Sequence, residues 1–203
     1  MTSSTLTALA INCSLKPSPQ AASGDLMARQ FLDAMTTHGV QTSMVRAADH
    51  RIMAGVEADM GDGDEWPEIR EQVLSADILV FVSPTWMGHM SSVAQRLLER
   101  LNADNGTTGD DGSPLFYGKV AVVGVVGNED GAHKVTADLY QGLNDVGYTI
   151  PAQGGTYWNG EAMHKTDYKD LERAPEAVTA ALSGAAANAT HLATLLAADK
   201  YPS

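Results

Sequence analysis

Three apolar runs, residues 6–11, 78–82 and 120–126, each pass directly into a loop of small, polar or glycine residues. A strand that is apolar along its whole length has both faces buried, the mark of a parallel sheet covered by helices. Ligands of such sheets bind outside the carboxyl ends of the strands, where strand order reverses and neighbouring loops diverge. The three loops therefore outline one candidate site: Asn12-Cys13-Ser14-Leu15-Lys16, Ser83-Pro84-Thr85-Trp86-Met87-Gly88, and Gly127-Asn128-Glu129-Asp130-Gly131.

Between the runs the spacing is helical. Leu26, Phe31, Leu32 and Met35 share one face, with Ser23 and Asp25 as candidate caps and Gly39 as the stop. Residues 41–45 read as a second strand, 53–65 as an acidic surface loop, and Pro67 opens a short helix ending near Ser75. Val93, Leu97, Leu98 and Leu101 form the next face behind a Ser91 or Ser92 cap, and a helix over 134–145 turns Val135, Leu139 and Leu143 inward. Residues 148–152 are expected as the last strand, which leaves Gly154-Gly155-Thr156-Tyr157-Trp158 as a fourth loop. Pro175 and Glu176 open a C-terminal helix, in a helical segment at about 168–198. Its Val178, Leu182, Ala185, Ala189, Leu192 and Leu196 alternate spacings of four and three. That stripe is expected to pack on the sheet, with a subunit seam as the other use.

Right-handed crossovers turn this rhythm into an α/β fold: a doubly wound five-stranded parallel sheet, order 2-1-3-4-5, with helices on both faces. A chain of 203 residues fits one domain, 1–203, since single cores commonly reach about 100 to 200 residues before splitting.

A net charge of −12 argues against nucleic acid or an anionic membrane as partner, and no segment approaches the roughly 20 apolar residues of a membrane span. The N-terminal Met-Thr-Ser-Ser-Thr lacks the basic stretch of an export signal. Cys13, the single cysteine, permits no intrachain disulfide, so a cytoplasmic setting is expected, with Cys13 a packed and inert thiol. The histidines at 38, 50, 89, 133, 164 and 191 lack ligand spacing, and the acidic loops 57–65 and 104–111 lack calcium-loop spacing. No metal is expected, and those carboxylates read as solvated. His89 and His133 follow two of the site loops, and a surface or supporting role is the expected one. The absence of G-x-S-x-G sets a serine hydrolase aside.

The first loop places hydroxyls, backbone amides and one cation ahead of a helix, a combination suited to a phosphate. The second offers a rigid turn, a hydroxyl, a flat indole and a thioether, which suit a planar heterocycle. The order Ser14-Leu15-Lys16-Pro17-Ser18, then Pro84-Thr85-Trp86-Met87-Gly88-His89-Met90-Ser91, then Gly127 to Gly131 resembles the flavodoxin-like NAD(P)H-dependent FMN reductases and the related FMN-dependent quinone reductases. The likeness covers about residues 5–158. It implies FMN as cofactor, NAD(P)H as co-substrate, a small-molecule electron acceptor such as a quinone or free flavin, and a homodimer or homotetramer. It further implies that Ser14, Lys16, Ser18 and Ser23 hold the FMN phosphate. Pro84, Thr85, Trp86, Met87 and Gly88, with Asn128, Glu129, Asp130 and Gly131, would meet the ring, and Tyr157 would join them from the fourth loop. No catalytic side chain is expected, because the flavin carries the chemistry. A flavodoxin-like electron carrier that does not turn over nicotinamide is the alternative. Residues 159–203 lie outside the resemblance and are expected to carry little functional information.

Overall fold

The apolar runs become the middle of one sheet in the computed structural model, which describes residues 5–161 and 163–202. The expectation about the N-terminal stretch falls largely on residues 1–4, outside the described residues. The elements are β1 (Thr7–Asn12), α1 (Ser23–Thr36), β2 (Gln41–Arg46), α2 (Trp66–Ser75), β3 (Ile78–Trp86), β4 (His89–Met90), α3 (Ser92–Leu101), β5 (Val120–Gly127), α4 (Ala132–Asp145), β6 (Gly155–Asn159) and α5 (Glu176–Ala198). Five strands run parallel in the order β2-β1-β3-β5-β6, while the two-residue β4 folds back antiparallel on the end of β3. With β4 set aside this is the expected order 2-1-3-4-5.

The last strand lies later than expected. Residues 148–152 make only an isolated bridge, Thr149 to Val120, and the strand beside β5 is Gly155–Asn159, with Val123 opposite Gly155 and Gly127 opposite Asn159. The glycines that made this stretch read as a loop are there for space. A Cβ on Gly155 would lie 2.5 Å from the Val123 carbonyl oxygen and 2.9 Å from the Tyr140 hydroxyl. Glycine inside a strand often marks such a close approach.

Alternating residues of the central strands feed two cores. Leu9, Ile11, Leu79, Phe81 and Val123 pack under α2, α3 and α4, whereas Ala10, Val80, Val82 and Val122 pack under α1 and α5. The α5 stripe packs on the sheet: Val178, Leu182, Ala185, Ala189 and Leu196 are buried in the second core. On α1 the inward residue is Met27 rather than Leu26, which is half-exposed.

Two acidic residues expected in solvent are buried. Asp64 pairs with Arg100 at 2.6 Å, both side chains wholly covered, and Arg100 also donates to the carbonyls of Met53, Glu57 and Ala58. Asp104 accepts from the Nε of Arg70 at 2.8 Å. A guanidinium offers five fixed donors, enough to gather several acceptors of an irregular loop onto one helix. The loop 53–65 is thereby pinned to α3.

Burial alone would push the Asp64 carboxyl up. The bonds from Arg100 and from the N–H groups of Met60, Met53 and Trp66 outweigh it and hold the group well below the usual carboxylate range. With a folded value below the unfolded value of about 3.9, the stabilisation is complete above that pH and is lost as pH falls toward the folded value. Urea-unfolding free energy is therefore expected to decline from about pH 4 downward. Asp64→Asn should flatten that decline, and an identical acid profile in the variant would contradict the assignment.

Candidate active site

The loops after β1, β3 and β5 converge because side chains and close glycine contacts tie them together. The Ser91 hydroxyl, at the start of α3, donates to the Cys13 carbonyl at 2.8 Å and accepts from the Ala94 N–H at 3.1 Å, while the Ser91 N–H donates to the Ser83 hydroxyl at 3.1 Å. One serine thus caps a helix and joins two loops. Met87 and Gly88 take φ of +50° and +72°, making the tight turn between β3 and β4. A Cβ on Gly131 would lie 2.7 Å from the Gly88 Cα, so that turn rests directly on the loop after β5.

Between these loops lies a cavity of about 340 Å³. Of the residues expected at the site, Ser14, Lys16, Ser23, Pro84, Thr85, Trp86, Asn128 and Glu129 line it. Six others do not. Ser18 is turned to Asp49, donating through its N–H at 2.6 Å and its hydroxyl at 2.7 Å. Met87 stands in solvent at the turn, and its N–H donates to the Glu129 carboxylate at 2.9 Å. Gly88 and Gly131 form the contact just described. Asp130 is exposed, and Tyr157 packs edge-on against His133 with ring centroids 4.8 Å apart. His89 is also placed outside the lining, its Nδ1 2.7 Å from the Met87 carbonyl oxygen.

One end of the cavity is built on the start of α1. Ala22, which precedes the helix, has no side chain able to cap it, so first-turn N–H groups remain for a ligand. Beside it the fully buried Asn12 accepts from the Ser14 N–H at 3.1 Å and the Ser14 hydroxyl at 2.6 Å, and its amide nitrogen lies 3.4 Å from Asp25. Asp25 pairs at 3.1 Å with Arg46, whose guanidinium also donates to the Gln20 carbonyl at 2.7 Å. The Arg46–Asp25–Asn12 chain therefore sets the Ser14 turn from below. The other end carries Thr85, Trp86, Asn128 and Glu129. Gly127 leaves room for Thr85, since a Cβ there would lie 2.8 Å from the Thr85 Cβ. Cys13, wholly buried below the loop, has its thiol pushed well up by burial and does not reach the cavity lining.

Among the lining residues outside the expected set, four bring aromatic or charged side chains. Trp158 ends the β6 side of the wall, and Asp167, Tyr168 and Lys169 come from the one-turn helix at Tyr168–Asp170 and the residue before it. Residues 167–169 form a strap along the cavity wall. Asn128 donates to Asp167 at 3.1 Å, Tyr168 donates to Gln30 on α1 at 2.8 Å, and the Lys169 N–H donates to the Ser23 hydroxyl at 3.3 Å. Trp158 and Tyr168 pack together at 5.6 Å. Nothing periodic marks this strap in the sequence; the clustered aromatic and charged residues between Trp158 and Asp170 are its only signal.

This arrangement is that of a flavodoxin-like fold with its site at the switch point of the sheet, and the chain belongs to the NADPH-dependent FMN reductase family, whose model matches residues 6–163. It is 40% identical over 169 residues to a divalent metal cation transporter MntH of Mycobacterium bovis, covering 81% of this chain and 25% of that protein. It is 33% identical over 166 residues to 8-demethyl-8-aminoriboflavin-5'-phosphate synthase of Streptomyces davaonensis, covering 77% of this chain and 65% of the synthase. The chain thus spans less than two thirds of both curated relatives. A crystal structure of RosB with bound 8-demethyl-8-formylriboflavin-5'-phosphate superposes with a TM-score of 0.87 and 31% identity, over 97% of this chain and 82% of RosB. Among the described residues no helix is long and apolar enough to cross a membrane.

Proposed function

We propose that the cavity binds FMN and that the chain is an oxidoreductase taking electrons from NAD(P)H to a quinone, free flavin or similar small acceptor. The observation that carries this reading is the Thr85 hydroxyl, buried in the cavity wall without a hydrogen-bond partner. Such a group costs about 1–3 kcal/mol when left unsatisfied, so the wall suits a ligand with a polar edge. Trp86, half exposed beside it, offers a ring face, and the start of α1 with Ser14, Ser23 and Lys16 offers hydrogen bonds and charge to a phosphate. Polar edge, flat face and anion site in one cavity fit a phosphorylated isoalloxazine.

FMN held there would supply the hydride-accepting and electron-passing chemistry. The residues of the chain bind and orient. Thr85 would meet a polar edge of the ring, and Asp167, Tyr168 and Lys169 would wall one side of it. Glu129, fixed by the Met87 N–H, disfavours negative charge building up nearby. No side chain is asked to act as acid or base. Family membership and the two flavin-phosphate relatives support the reading.

A second reading has its own support: the likeness to RosB and to the synthase favours a flavin phosphate entering as the substrate of a ring modification. A visible spectrum with added FMN, then NADH or NADPH under anaerobic conditions, separates the two. Bleaching is the expected result. Bound flavin that stays yellow favours the second reading or an electron carrier, and failure to bind FMN overturns all three. Thr85→Val is expected to weaken FMN binding about three- to tenfold, the worth of one hydrogen bond, as read by flavin fluorescence quenching; unchanged affinity would place Thr85 away from the ligand.

A further inference from the structure

Lys16 and Lys169 are the two cations among the residues lining the cavity, and they come from opposite ends of the chain. Lys16 belongs to the loop after β1. Lys169 lies on the strap, beyond the 6–163 span that matches the reductase family. Its backbone N–H donates to the Ser23 hydroxyl at the start of α1, and Lys169 lines the same cavity as Ser14 and Ser23. Its ammonium is 2.7 Å from Asp170 and 3.4 Å from Asp167, both partly exposed to solvent. Ion pairs whose carboxylates are this open to solvent are worth little, so an anion of higher charge can compete for the same ammonium.

We propose that Lys169 is a second phosphate-binding cation, through which the strap selects a phosphorylated flavin over the unphosphorylated one. This rests on the flavin reading above. A phosphomonoester carries between one and two negative charges near neutral pH and three oxygens able to accept charge-assisted bonds. The helix start supplies partial charge, and Lys16 a full charge on an exposed, flexible stem with no carboxylate partner within ion-pair distance among the described residues. Lys169, only a quarter exposed and tied through its own backbone, is the more covered and more tethered of the two. Asp170 and Asp167 keep its ammonium charged and orient it, while competing with the ligand for it.

The test compares FMN and riboflavin binding by fluorescence quenching in the wild-type chain, Lys169→Ala, Lys169→Arg and Asp170→Asn. Lys169→Ala is expected to lose at least tenfold in FMN affinity and less than twofold in riboflavin affinity. Its backbone bond to Ser23 does not need the side chain, so the melting temperature should stay close to that of the wild type. Lys169→Arg should restore most of the FMN affinity. Asp170→Asn, by freeing the ammonium, should strengthen FMN severalfold and leave riboflavin unchanged. Equal losses for both ligands in Lys169→Ala, no loss for either, or weaker FMN binding in Asp170→Asn would overturn the assignment while leaving the flavin site standing. A wild-type chain that binds neither ligand would overturn the flavin reading itself.

Discussion

Arg100→Met is expected to lower the unfolding free energy by about 3–5 kcal/mol, the cost of stranding one member of a buried ion pair. Both side chains of the pair are fully covered. The variant would leave Asp64 charged without its main partner and strip donors from three carbonyls of the loop 53–65. The guanidinium also sits 5.6 Å from the Trp66 ring, so packing at the start of α2 loosens with it. Pairing the change with Asp64→Leu should recover only part of the loss. The N–H groups of Met53, Met60 and Trp66 would then lack their acceptor. Denaturant unfolding of the two variants measures both quantities. A loss under about 1 kcal/mol for Arg100→Met would mean that the pair behaves like a solvent-exposed one.

Gly24→Ala should abolish most flavin affinity while improving local helix propensity. Alanine is favoured over glycine in a helix interior by about 1 kcal/mol. At this position the added Cβ would lie 2.6 Å from the Asn12 amide oxygen and 2.9 Å from the Ser14 hydroxyl. Asn12 is buried and its amide serves Ser14 on one side and Asp25 on the other, so it cannot swing away without orphaning a polar group. The Ser14 turn moves instead. A tenfold or greater fall in FMN affinity is expected, with a net stability change within about 2 kcal/mol because the two local effects oppose each other. Titration with FMN beside a thermal melt reads both, and wild-type affinity in the variant would remove the Ser14 turn from the ligand cradle.

The parallel order and the converging loops were legible because each depends on a local signal. A fully apolar strand declares that both faces are covered, and βαβ alternation leaves few ways to wind the sheet. A serine cap at Ser91 or Ser92 was readable on similar grounds, and the structure selects Ser91. β6 was displaced because its glycines, required by the closeness of Val123 and Tyr140, look like breakers when the neighbours are unknown. Asp64 and Asp104 read as solvent-facing since a carboxylate's burial depends on a partner far along the chain, here 36 and 34 residues away. The strap escaped notice for the same kind of reason: Asp167, Tyr168 and Lys169 are bound to Asn128, Gln30 and Ser23, at separations of 39, 138 and 146 residues.

By itself, then, the amino-acid order determined the layered architecture, the end of the sheet where the cavity lies, and the residue types offered there. Those properties follow from hydrophobic period and turn chemistry, which act over a few residues. Tertiary structure alone decided that Ser18, Tyr157 and Met87 turn away from the cavity while Trp158, Asp167, Tyr168 and Lys169 enter it. Which way a polar side chain faces is settled by the partner that satisfies it, and that partner is supplied by whichever distant segment the fold brings alongside.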